Sequence, residues 1–135
     1  MDGISWNNDC SVGVQQIDEH HKHLFELLQN VYESCTNKDQ TDGAETIVTE
    51  LVDYATYHFA TEERLMKETG YFDSAAHGME HQRFIERVSE FQHDLITGKK
   101  VYSIELIGFL GNWLIHHIME VDKKLGLHLN TSGIH

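Results

Sequence analysis

His58 and Glu62 stand four residues apart, His77 and His81 stand four apart, and His117 precedes Asp122 by five. On a helix, positions four apart lie one above the other, so each of the first two pairs aims two donor groups at one place. A separation of five turns about 140° on an ideal helix. His117 and Asp122 therefore converge only if the backbone between them widens in π fashion, which the spacing predicts. Neutral imidazole nitrogen and carboxylate oxygen are both ligands for transition metals. The chain holds 11 histidines, and a lone histidine is ordinarily solvated or satisfied by a neighbour. Placement decides what these do.

The elements that must position them are helices. Proline is absent, which suits a chain built almost wholly of helix with short joints. Turn-like stretches at TNKDQTDG (36–43), GYFD (70–73) and TGKK (97–100) leave four periodic segments. The pattern predicts helices over about 18–36, 43–69, 74–97 and 103–125, a non-helical arm at 1–17 and a non-helical tail at 126–135, all in one domain, 1–135. Asp18, Asp42 with Glu45, Asp73 or Ser74, and Ser103 are the expected openers; Gly70, Gly98 and Gly126 are the expected exits. Ile4, Trp6, Val12, Val14 and Ile17 in the arm are expected to pack across the helices.

Steps of three and four give each helix an inward stripe. The first carries Ile17, His21, Leu24, Leu28, Val31 and Cys35; the second Ile47, Leu51, Tyr54, His58, Glu62 and Leu65. The third carries His77, His81, Phe84, Val88, Phe91 and Leu95; the fourth Leu106, Leu110, Trp113 or Leu114, His117 and Val121. His20, His23, His93 and His116 fall off these stripes. Short joints favour antiparallel neighbours, hence an all-α, up-down-up-down four-helix bundle. The starts of the first and third helices then lie level with the ends of the second and fourth. His21, His58, Glu62, His77, His81, His117 and Asp122 meet in one layer.

Five imidazoles and two carboxylates buried together would be strongly destabilising without a compensating cation. Seven ligands are too many for one tetrahedral zinc. Two octahedral ions sharing both carboxylates and a solvent-derived oxygen as bridges use them all, leaving the ion with three histidines filled and the other, with two, open at one position. The rest of the composition is consistent with a soluble holder of cations. Ten Lys plus Arg against 22 Asp plus Glu give −12, a field that repels nucleic acid and anionic membrane surfaces. No apolar run approaches membrane-spanning length and MDGISWNNDC is no signal peptide, so a cytoplasmic location is expected. Cys10 and Cys35 lack framework spacing and are expected to be reduced.

The motifs VGVQQIDEHH (12–21), HFATEE (58–63), HGMEH (77–81) and WLIHHIMEVDKK (113–124) resemble, in order, those of the bacterial single-domain hemerythrins. The resemblance covers practically the whole chain. It implies a non-haem di-iron centre, carboxylate- and oxo- or hydroxo-bridged, that binds dioxygen reversibly and is not an enzyme. By the same resemblance His77, His81 and His117 bind the saturated iron, His21 and His58 the open one, and Glu62 and Asp122 bridge. The family's ligand on the last helix stands four after the tryptophan, which selects His117 and leaves His116 outward. His20 stands where the family often has glutamine. The implied oxygen pocket is Leu24, Phe59, Trp113, Leu114 and Ile118. Carriage or storage by a monomer is the implied use; the alternative is an oxygen- or redox-sensing module joined to a signalling partner.

Two other readings compete. HGMEH also fits the H-x-x-E-H pattern of certain zinc peptidases, with Glu80 as general base, but Glu80 is expected to face solvent and three histidines go unused. A ferritin-like oxidase or iron store would use paired Glu-x-x-His motifs. The chain has one, Glu90 to His93, off the inward stripe.

Overall fold

The structure, a computed structural model, describes residues 6–36, 44–97 and 103–135, with the side chains of 34–36, 44–45, 95–96 and 103–107 excepted. Helices α1 (Gln15–Thr36), α2 (Ala44–Thr69), α3 (Ser74–Ile96) and α4 (Ser103–His116) form an antiparallel four-helix bundle. Beyond α4 the chain continues through a π-helical segment, His117–Asp122, into α5 (Lys123–Thr131). His116 and Lys123 keep helical dihedrals at the two junctions, so α4, the π segment and α5 are one rod. α1 packs on α2 and α4, and α2 packs on α3.

The inward stripes fill two apolar clusters. One contains Leu24, Leu28, Val31, Leu51, Phe59, Phe84, Val88, Leu110, Leu114 and Ile118. The other contains Val12, Val14, Ile17, Leu65, Met66, Tyr71, Leu125 and Leu129. Between them lie the buried polar side chains, among them His21, His58, Glu62, His77, His81, His117 and Asp122. The expected arm thus packs as predicted through Val12, Val14 and Ile17, with Trp6 against the first cluster.

Several boundaries and facings differ from expectation. α1 begins at Gln15, not near 18. Asp18 does not cap it from outside. Its carboxylate folds back to accept from the Val12 N–H at 2.9 Å and the Ser11 hydroxyl at 2.5 Å, tying the arm to the helix. The last helix runs on to Thr131, so 126–131 are helical and Gly126 is no exit. Gly126 is buried instead, and a Cβ there would collide with the Val12 carbonyl, so glycine is what lets the arm cross the rod. The true stop is Gly133, at φ 86°, with Ile134 N–H donating back to Leu129 O at 2.9 Å.

On the fourth stripe, Val121 is only partly buried, because the π segment shifts the inward register to Asp122. On the second, Val48 is buried and Ile47 only partly so. Ile4, the Asp42–Glu45 box, Gly98, and the side chains of Cys35, Leu95, Ser103 and Leu106 lie outside the described residues.

Candidate metal centre

Four elements deliver the seven predicted donors to one layer. α1 brings His21, α2 brings His58 and Glu62 one turn apart, α3 brings His77 and His81 one turn apart, and the π segment brings its first and last residues, His117 and Asp122. The extra residue of the π segment is what makes a separation of five point two side chains the same way. All seven are at most 3% exposed.

Their donor atoms fall into two groups with shared members. Ligand atoms of Glu62, His77, His81, His117 and Asp122 all lie within 4.8 Å of one another, as do those of His21, His58, Glu62 and Asp122. The carboxylates divide their oxygens between the groups. Glu62 Oε1 is 2.9 Å from His81 Nε2 and 3.2 Å from His77 Nε2, while Oε2 is 3.3 Å from His58 Nε2 and 3.9 Å from His21 Nε2. Asp122 Oδ1 is 2.9 Å from His117 Nε2 and 3.1 Å from His77 Nε2, while Oδ2 is 2.8 Å from His21 Nε2.

Of these short distances, that between His77 Nε2 and Glu62 Oε1 has hydrogen-bond geometry, and most of the others do not. Both Asp122 oxygens, Glu62 Oε2, and the Nε2 atoms of His21 and His58 are fully buried without a hydrogen-bond partner, despite nitrogens and oxygens standing this close. His81 Nε2 and His117 Nε2, two like groups, approach to 3.2 Å. Donor atoms that crowd one point with so few hydrogen bonds among them are what a cation accounts for, and imidazole with carboxylate is a suitable set. The residues fit a bound metal.

Electrostatics shows the same demand for positive charge. Burial alone would depress the imidazoles of His77 and His117, but the carboxylates of Asp122 and Glu62 outweigh it and push them up to about 9 and about 10. Burial works to raise both carboxyls, yet the surrounding histidines hold Glu62 and Asp122 well below the carboxylate range. For His81 burial prevails, and its pKa is lowered.

Beside the layer, Leu24, Phe59, Trp113 and Leu114 line an apolar cavity, together with Leu28, Leu51, Ala55, Phe84 and Leu110. It holds about 10 Å³ of free space, room for roughly one water-sized molecule. Ile118, the fifth residue expected there, is buried in the same apolar cluster as these four and also borders a groove under the arm with Phe25 and Met119. Glu80 is half-buried at the surface. It lines a surface groove with Arg83, Glu120 and Lys124 and stands outside both donor groups. Glu90 and His93 are exposed, and Glu90 bonds Arg87 at 2.8 Å.

His116 is exposed and faces Glu120 at 3.2 Å. His20 is the residue the periodicity misplaces. Though one step off the stripe it is 7% exposed, and its Nδ1 lies 2.8 Å from His58 Nδ1. Its ring sits among Tyr54, Tyr57 and His58 in the α1–α2 seam, and burial there, with the neighbouring histidines, lowers its pKa to about 4. A helix-face count assigns residues in or out, whereas a seam between two helices accepts residues at the edge of the face.

The comparisons agree with this geometry. The hemerythrin HHE cation binding domain matches residues 12–127. A bacteriohemerythrin of Pseudomonas aeruginosa (strain LESB58) is 39% identical over 122 residues, 90% of this chain and 78% of that protein. One of Stenotrophomonas maltophilia is 36% identical over 131 residues, 94% of this chain and 84% of that one. The crystal structure of a wild-type hemerythrin, 28% identical, superposes with a TM-score of 0.81 over 87% of this chain and 90% of the other. Bundle, buried donor layer and matched motifs together place the chain in the hemerythrin family.

Proposed function

We propose that the chain binds dioxygen reversibly at two iron ions and so carries or stores it. His77, His81 and His117 would hold one ion, His21 and His58 the other, and Glu62 and Asp122, which belong to both donor groups, would serve both. When bound, two ferrous ions supply the electrons and the open position that dioxygen needs. The protein's part is placement and exclusion. Five neutral imidazoles and only two carboxylates keep the donor set nitrogen-rich, which favours the lower oxidation state over that of a carboxylate-rich centre. Leu24, Phe59, Trp113 and Leu114 put apolar surface on one side of the layer, which keeps water and protons from reaching it. No described helix is long and apolar enough to cross a membrane.

One observation carries this reading: each shared carboxylate turns one oxygen toward the three-imidazole group and the other toward the two-imidazole group. A single zinc site has no use for that division. The test is metal analysis with optical spectra in air and under vacuum. Two irons per chain, and a visible band that forms in air and disappears under vacuum, are expected. Zinc alone, one iron per chain, or a band that never reverses would overturn the proposal.

A further inference from the structure

Of the five imidazoles in the layer, His58 has a protein side chain on its far nitrogen; the Nδ1 atoms of His21, His77, His81 and His117 are buried with no hydrogen-bond partner among the described residues. His58 Nε2 faces the layer, 3.3 Å from Glu62 Oε2, and His58 Nδ1 faces His20 Nδ1 at 2.8 Å. Two ring nitrogens at that distance share one proton, so one donates and the other accepts. Which does which is fixed by the layer. A neutral imidazole that offers a bare Nε2 carries its proton on Nδ1, so His58 is the donor and His20 the acceptor, and the proton of His20 is on its own Nε2.

We propose that His20 is a positioning residue: its Nδ1 accepts the Nδ1–H of His58 and so selects the tautomer and ring orientation that present a bare Nε2 to the centre. The inference rests on the proposed metal centre. Without His20 the alternative tautomer is favoured, because Glu62 Oε2 stands ready to accept a proton from Nε2. The site then begins protonated where it must be bare. His20 also governs the half with two imidazoles, where a weakened ligand has fewer companions to hold an ion.

His20→Leu removes the acceptor at similar bulk, and His20→Gln restores one through its amide oxygen. Ring-nitrogen NMR on the chelated full-length chain should show the His58 proton on Nδ1 in the wild type and in His20→Gln, and on Nε2 in His20→Leu. Anaerobic competition for ferrous iron should show an affinity about 10–100-fold lower in His20→Leu, with His20→Gln near the wild type. A wild-type His58 protonated on Nε2, or a His20→Leu chain that binds iron as the wild type does, would overturn the inference. Should His20→Leu not fold, the wild-type and His20→Gln tautomers decide it, and Nε2 protonation in either sinks it. A wild-type chain that takes up no iron would defeat the metal reading instead, leaving the tautomer result to stand or fall separately.

Discussion

The two halves of the donor layer use the same side chains and hold them differently. On the three-imidazole side, Phe59 stacks on His81 at 3.9 Å between centroids and 8° between planes, and Trp113 stacks on His117 at 4.4 Å and 12°. On the two-imidazole side, His21 and His58 meet edge-on at 5.0 Å, and His58 is held by its bond to His20. Aromatic surface from α2, α3 and α4 surrounds the first half, while the α1–α2 seam supplies His20, Tyr54 and Tyr57 to the second. A ring flanked by a stacked face is fixed by packing, which resists both rotation and water. A ring fixed by one hydrogen bond keeps more freedom. The rigid half has three imidazoles, and the freer half has two.

The largest effect is expected where the halves are joined. Glu62 belongs to both donor groups, so Glu62→Ala should abolish stable uptake of both ions, whereas His21→Ala should retain the ion held by His77, His81 and His117. Metal analysis after desalting reads this directly, and a Glu62→Ala chain holding one ion would show the halves to be independent. Next is the aromatic packing. Phe59 is 4% exposed and touches His81, Phe84 and Trp113, so Phe59→Ala should lower stability by about 3–5 kcal/mol in urea unfolding. Its damage should fall on the three-imidazole half, leaving the His20–His58 bond intact.

A smaller effect separates the halves by pH in the metal-free chain. His77 and His117 have folded pKa values of about 9 and about 10 against 6.5 for the ordinary imidazole. Each contributes stability that is present below pH 6.5 and lost as pH rises through its folded value. His20 and His81, whose values are lowered, are neutral above pH 7 whether folded or not and change nothing there. Thermal unfolding of the metal-free chain should therefore weaken from pH 7 to pH 10, by up to about 1.4 kcal/mol per pH unit for each histidine still protonated. With metal bound those imidazoles carry no proton to lose, and the slope should vanish. An equal slope in both forms would mean the charge lies elsewhere.

Much of this arrangement was legible in the sequence. The i, i+4 pairs, the five-residue gap and the absent proline dictated helices, a π widening and a common layer, because those features are periodic. What escaped was set by contacts between elements distant in sequence. Gly126 has the composition of a helix stop, yet it lies inside α5 because the Val12 backbone crosses there. Asp18 has the composition of a cap, yet it bonds back to Ser11 and Val12. His20 was set aside as off-stripe, since nothing local tells that a neighbouring helix closes over that edge.

The smallest expected effect is the sharpest control on the comparison. His116 and His117 are identical in type and adjacent in the chain, so any metal affinity due to histidine content alone would be shared between them. His117 is 1% exposed, lies 2.9 Å from Asp122 Oδ1 and is stacked on Trp113. The His116 side chain is 56% exposed and meets only Glu120, one turn on, at 3.2 Å. A surface pair of that spacing contributes about 0.3–0.5 kcal/mol. His116→Ala should thus shift urea unfolding by about 0.5 kcal/mol or less and leave the metal content and the oxygen-dependent band unchanged. His117→Ala removes a ligand that packing has fixed and should cost the three-imidazole half its ion. If His116→Ala lowered metal content as His117→Ala does, donors would be recruited from the surface, and a buried layer divided into a packed half and a hydrogen-bonded half would not describe the centre.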